Sequence, residues 1–262
     1  MDSAVTLADI SVSYGATPVL KGIDLVLPRG QVTVLAGPNG CGKSTLLATI
    51  RRMLRPSAGM VAVGQDDIMT LSERQLARRM ALLAQHASAP DELSVFELVK
   101  MGRFPHQGFL RQWTDADARA VEAAVEATDL APLLERRLDT LSGGQRQRVW
   151  LAMVLAQDTP IICLDEPINH LDVAHQLQCL DLVRRLNRDM KKTVVVVLHD
   201  LNLSARYADF MVLLKDGRVQ ATGTPDDLVT EATVREVFGI DSRVISDPVY
   251  GRPLCIPLSA RP

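Results

Sequence analysis

An excess of charge of either sign is missing from this chain. Lys and Arg total 29 against 31 Asp and Glu, for a formal charge of −2. Nucleic-acid binders usually carry a net basic face, so no nucleic-acid partner is expected. Cysteine is sparse as well. Cys41, Cys163, Cys179 and Cys255 are widely scattered with no CxxC spacing. That pattern argues against a disulfide frame or a zinc site and for reduced, cytosolic thiols. No apolar run approaches the ~20 residues that span a bilayer. The N-terminal MDSAVTLADISVSYG lacks the basic start and apolar core of a signal peptide. If the protein works at a membrane, another polypeptide crosses it. Low-complexity segments, repeats and obvious linkers are not found either.

The composition that remains is that of an ordinary folded protein, 47% hydrophobic and 23% charged. Its 262 residues allow one large domain or two small ones. Short apolar runs at 32–36, 161–164 and 193–198 each end at a polar landmark and are followed by a helical pattern. They fit buried strands of a parallel sheet in an α/β core. Residues 6–13 and 24–27 alternate more like antiparallel strands, and 59–63 reads as another. From about 85 to 157 the spacing predicts helices instead. Ser94-x-x-Glu97 and Thr114-x-x-Asp117 read as capping boxes. The basic doublets Arg51–Arg52, Arg78–Arg79, Arg136–Arg137 and Arg184–Arg185 read as solvated helix faces. Near the end, a helix around 233–238 precedes a hairpin turning at Asp247–Gly251.

The chemistry starts at Gly37-Pro38-Asn39-Gly40-Cys41-Gly42-Lys43-Ser44, followed by Thr45, which satisfies GxxxxGK[ST] between a strand and a helix. Glycines let such a loop wrap closely, so that consecutive backbone N–H groups point at phosphate oxygens. Lys43 is expected to reach the β- and γ-phosphates, and the Ser44 hydroxyl to ligate Mg²⁺. Beside Lys43 and a helix N-terminus, the Cys41 thiol is expected to have a lowered pKa. Asp165 and Glu166 end a buried strand, and successive side chains on a strand point oppositely. Asp165 is therefore assigned to Mg²⁺, and Glu166 to the attacking water as general base or polariser. A glycine turn before a helix, and a carboxylate pair capping the next helix, are the plainer readings of these two segments.

Between them stands Leu141-Ser142-Gly143-Gly144-Gln145, which resembles the signature motif of ATP-binding cassette (ABC) proteins. Ser142-x-x-Gln145 is also a capping box, so the helix it opens offers a second anion-binding N-terminus. Other positions match that family residue by residue. Tyr14 resembles the aromatic that stacks on adenine, with a core tyrosine as the alternative. Gln85 resembles the Q-loop glutamine that contacts Mg²⁺ and the catalytic water. Leu171-Asp172 resembles the D-loop, and His199 the switch histidine that contacts the γ-phosphate. One departure is Ile168, where family members commonly have threonine.

The resemblance implies an α/β fold: a P-loop NTPase core with an N-terminal antiparallel β-subdomain and an inserted α-helical subdomain. In these terms 1–262 is one ABC ATPase domain. Segments 1–85 and 158–262 form the core and tail, and 86–157 the helical signature subdomain. The implied activity is ATP hydrolysis coupled to transport, with ATP and Mg²⁺ bound. The implied partners are a second copy, which completes each ATP site, and permease subunits docking near 85–113. Gly102–Gln107, Asp172–Gln176 and the tail 245–254 further resemble ATPases of ferric-siderophore importers. A substrate-binding protein would then act indirectly, and the chain would sit peripherally on the cytoplasmic face of the cell membrane. A haem or cobalamin importer and a soluble ABC assembly ATPase are the alternatives at this point.

Overall fold

The computed structural model describes residues 2–85, 87–108 and 112–260. The chain opens with β1 (Ser3–Tyr14), β2 (Thr17–Pro28), β3 (Val32–Ala36), α1 (Lys43–Ile50), β4 (Ala58–Val63) and β5 (Asp66–Asp67). It continues through α2 (Glu73–Arg79), β6 (Met80–Leu83), α3 (Val95–Met101), α4 (Asp115–Ala127), α5 (Gly143–Ala156), β7 (Ile161–Asp165) and α6 (Val173–Arg188). After β8 (Thr193–Val197) come α7 (Leu201–Tyr207), β9 (Phe210–Lys215), β10 (Arg218–Gly223), α8 (Pro225–Leu228) and α9 (Glu231–Phe238). The hairpin β11 (Ile240–Ser246) and β12 (Pro253–Ala260) completes it.

Two compact units emerge, Met1–Thr70 with Thr193–Pro262, and Leu71–Lys192. In the first, β2, β1, β4 and β5 lie in that order as an antiparallel sheet. There too, β3 pairs in parallel with β8 on one side and β9 on the other, and β10 returns antiparallel to β9. Every residue of β3 and β8 is buried, as expected of parallel strands covered on both faces. The alternation read at 6–13 and 24–27 belongs to two longer strands joined by a tight turn at Gly15.

In the second unit, β6 and β7 pair in parallel. Helix α5 packs on α3, α4 and β6. The predicted capping boxes at Ser94 and Thr114 both form, each with reciprocal hydrogen bonds to the third helical residue. Three doublets depart from expectation. Arg51–Arg52 follows the end of α1, and Arg136–Arg137 lies in no helix, with Arg137 forming a bridge to Ser94. Arg78 does not merely face solvent: its Nε donates to the carbonyl of Pro105 at 2.8 Å, as does that of Arg74 one turn earlier. Among the described residues, no helix is long and apolar enough to cross a membrane.

Candidate functional site

The candidate residues fall into two groups, one in each unit. In the first unit, β3 runs straight into the glycine-rich loop. A Cβ on Gly37 would lie 2.1 Å from the carbonyl oxygen of Leu214, so only glycine permits this approach. Helix α1 starts at Lys43 with Gly42 as its N-cap and no side-chain cap. Its first-turn N–H groups are thus left to a ligand, with the helix dipole behind them. The buried Lys43 ammonium donates 2.9 Å hydrogen bonds to the carbonyls of Gly37 and Pro38. A cation there is held inside the loop by the loop's own backbone, where an incoming phosphate oxygen is its stronger acceptor.

Ser44 and Thr45 are half-buried in the first turn of α1, whereas Asn39 and Gly40 are exposed at the loop tip. Cys41 corrects an expectation. Burial pushes its thiol above the usual range, outweighing the lowering effect of Lys43. Desolvation of a thiolate defeats the neighbouring charge here. All four cysteines are free and buried.

His199 follows β8, and Leu35 pairs with Val197 across the parallel β3–β8 ladder. The register brings the phosphate loop and His199 to the same end of adjacent strands. Asp200 caps α7 directly after it, its side chain accepting the N–H of Leu203 at 2.7 Å. Tyr14 ends β1 opposite Thr17 and is 53% exposed.

In the second unit, the same logic assembles the carboxylates. Leu83 pairs with Leu164, so Gln85 and the end of β7 share one edge. Gln85 Nε2 donates to Glu166 Oε2 at 2.6 Å, and the Asn169 amide donates to the same oxygen. Glu166 itself has a φ of 51°, a left-handed conformation that is costly for a non-glycine residue and recurs at functional sites. Asp165, half-buried, is the last residue of β7.

At the start of α5, Ser142 accepts the N–H of Gln145 while the Gln145 amide oxygen accepts that of Ser142. This expected box leaves the N–H groups of Gly143 and Gly144 at an exposed helix N-terminus. Sequence reading missed Asn169. Its signal was modest, an amide three residues after Glu166, with its N–H bonded back to the Glu166 carbonyl. It missed Gln147 too, whose amide donates to the carbonyl of Pro167 at 2.8 Å.

The ABC transporter family matches residues 20–169. The petrobactin import ATP-binding protein FpuD of Bacillus anthracis is 45% identical, over 98% of this chain and 94% of its own. The achromobactin transport ATP-binding protein CbrD of Dickeya dadantii is 46% identical, over 97% and 95%. A dimeric bacterial ABC transporter cassette superposes with a TM-score of 0.75 at 28% identity, covering 84% of this chain and 98% of that one. With the family matched over residues 20–169 and relatives 45–46% identical along nearly the whole chain, the chain belongs to the ABC transporter family and is an ATPase of that family.

Proposed function

We propose that this chain is the nucleotide-binding subunit of an iron–siderophore importer and hydrolyses ATP to drive a separate membrane permease. The siderophore assignment draws support from relatives such as FpuD and CbrD, which align along nearly the whole chain. The catalytic reading is carried by one observation: the Glu166 carboxylate, next to Asp165, is held by two side-chain amides. In this reading 1–85 and 158–262 supply the core and 86–157 the signature subdomain.

The backbone N–H groups of residues 37–45 bind the phosphates, Lys43 pairs with the β- and γ-phosphate charge, and Tyr14 stacks on the base. Ser44, Gln85 and Asp165 offer only oxygen donors, the chemistry Mg²⁺ selects. When bound, Mg²⁺ neutralises charge on the β- and γ-phosphate oxygens. Glu166 takes a proton from, or polarises, the attacking water while Gln85 and Asn169 fix its orientation. His199 meets the γ-phosphate.

Ser142, Gly143, Gly144 and Gln145 present a helix N-terminus to the nucleotide of a second copy, so two chains clamp two ATP molecules head to tail. Dimerisation of a similar cassette supports this arrangement. Closure is then a ligand-driven population shift that hydrolysis reverses. The permease docks on a groove of about 340 Å³ along α3, lined by Leu93, Lys100, Phe104 and Trp113 among others. Residues 86 and 109–111 of the expected docking stretch lie outside the described residues. The chain would sit at the cytoplasmic membrane face through that contact.

The test is Glu166→Gln, which keeps shape but cannot accept a proton at neutral pH. Hydrolysis should fall by roughly 10²–10⁴, and light scattering should show an ATP-bound dimer that persists. Lys43→Ala should bind no nucleotide and stay monomeric. A Glu166→Gln protein that remains monomeric at saturating ATP would sink the sandwich.

A further inference from the structure

The side chain of His175, on the first turn of α6, lies against the signature helix of its own chain. A Cβ built on Gly144 would stand 2.7 Å from His175 Cδ2 and 3.0 Å from both Cγ and Nε2. The face of the imidazole therefore occupies the space that any other residue at 144 would need. The ring is not loose. Its Nδ1 donates to Asp172 Oδ1 at 2.8 Å, and the same carboxylate oxygen accepts the His175 backbone N–H at 2.9 Å.

Asp172 is the N-cap of α6, six residues beyond Glu166. One further bond joins α5 to the segment leaving β7: Gln147 donates to the carbonyl of Pro167 at 2.8 Å. Within that segment, Gln176 on α6 donates to the carbonyl of Leu171 at 3.1 Å. The segment leaving the carboxylate strand and the N-terminal half of α5 thereby meet at two points, the Gln147 bond and the His175 ring, which bears directly on Gly144.

We infer that His175 is a positioning residue: held by Asp172, its ring sets the position of the Gly143–Gly144 N-terminus relative to the segment that carries Glu166. This rests on the two-copy reading above, in which α5 acts on the partner's nucleotide while Glu166 acts on its own. A shift of α5 would then impair assembly and turnover, yet spare the binding of nucleotide to the phosphate loop of a single chain. Beside the ring runs an open cleft of about 280 Å³ lined by Gly144, Gln147, Leu171 and Cys179 among others. Truncating His175 enlarges that cleft rather than opening a sealed void, so the fold should survive.

The experiment compares His175→Ala and His175→Phe with the wild type in the full chain. Four quantities are read: fluorescent-nucleotide affinity, phosphate release, melting temperature, and ATP-dependent association in the Glu166→Gln background. A misplaced group distant from the chemistry can lower turnover by up to about 100-fold. His175→Ala should lose turnover on the order of ten- to a hundred-fold and need more ATP to associate, with nucleotide affinity and melting temperature unchanged. His175→Phe, which keeps a flat ring over Gly144, should recover part of that loss.

Wild-type behaviour of His175→Ala would overturn the inference. So would a parallel loss of nucleotide affinity, or a Phe variant no better than Ala. A Glu166→Gln protein with native His175 that did not associate with ATP would overturn the sandwich reading itself and the inference with it. That failure is distinct, because it shows without any change at His175.

Discussion

Tyr14 illustrates what a single side chain reveals. At 53% exposure it does not fill the core, so the stacking role is the one its position supports. In the proposed reading, this exposed ring at the end of β1 stacks on adenine. Tyr14→Ala should therefore lose about 1–3 kcal/mol of nucleotide binding, by analogy with base–aromatic stacking. Tyr14→Phe and Tyr14→Trp should retain most of it, as measured by equilibrium titration with fluorescent ATP; equal losses in all three would assign the ring to structure. At this scale the sequence was most legible where chemistry is local. The loop 37–44 and Asp165 sit in their expected settings, because a short motif carries its own backbone geometry, whereas Glu166 lies one residue beyond β7 in a left-handed conformation, outside the strand alternation expected of the pair. Cys41 was misread because burial, a tertiary property, outweighs the neighbouring Lys43 that the sequence displays. Asn169 was passed over for the same reason, and His175 was read only within the Asp172–Gln176 resemblance, because the contacts of both are set by the fold.

Secondary-structure elements tell a similar story. Capping boxes at Ser94, Thr114 and Ser142 were readable and form, since a cap needs only four consecutive residues. A fourth at Ser72, starting α2, went unread. So did β6, whose short apolar run directly follows the arginines that end α2, and the β9–β10 hairpin. The latter had a signal: Asp216-Gly217 with φ of 52° and 79° is the two-residue turn that right-twisted hairpins favour.

Where helices meet, Arg103 and Asp117 form a buried pair at 2.8 Å, and Arg103 also donates to the Ala156 carbonyl at 2.7 Å. The pair ties the turn after α3 to α4 and to the end of α5. Burial opposes charge on Asp117, but hydrogen bonds from Arg103 and Thr114 outweigh it and hold the carboxyl below the usual range. A depressed carboxyl pKa contributes stability that is complete above the ordinary value of about 3.9 and is lost as pH falls through the lower folded value. Thermal stability should thus hold down to about pH 4 and decline below it. Asp117→Asn strands the buried guanidinium, should cost about 3–5 kcal/mol at pH 7, and should flatten that acid decline. A variant as stable as the wild type at pH 7 would show that the pair does not hold these helices.

At the scale of the whole molecule, the proposed nucleotide site and the proposed docking groove use different residues. Of the candidates for contact with nucleotide or metal, only Gln85 lies in 85–113, and it stands at the edge of that stretch. The groove along α3 instead gathers exposed apolar surface: Phe104 at 57% and Trp113 at 37%. Lys100 Nζ lies 4.8 Å from the Trp113 ring centroid, which braces that ring by a cation–π contact. The backbone beneath is fixed, with Arg74 and Arg78 gripping the Pro105 carbonyl and His106 Nε2 2.8 Å from the Gln157 carbonyl. Aromatic side chains on a rigid base are what carries energy in protein interfaces. Truncating one such anchor typically costs about 2 kcal/mol or more, roughly thirty-fold in affinity. Phe104→Ala and Trp113→Ala should therefore weaken assembly with the permease and slow uptake of iron chelate into vesicles. ATP binding and basal hydrolysis by the isolated chain should stay at wild-type values, because neither side chain belongs to the nucleotide site. Uptake at the wild-type rate in both variants would move the docking surface elsewhere on the molecule. Collapse of basal hydrolysis would instead make the groove part of the catalytic apparatus.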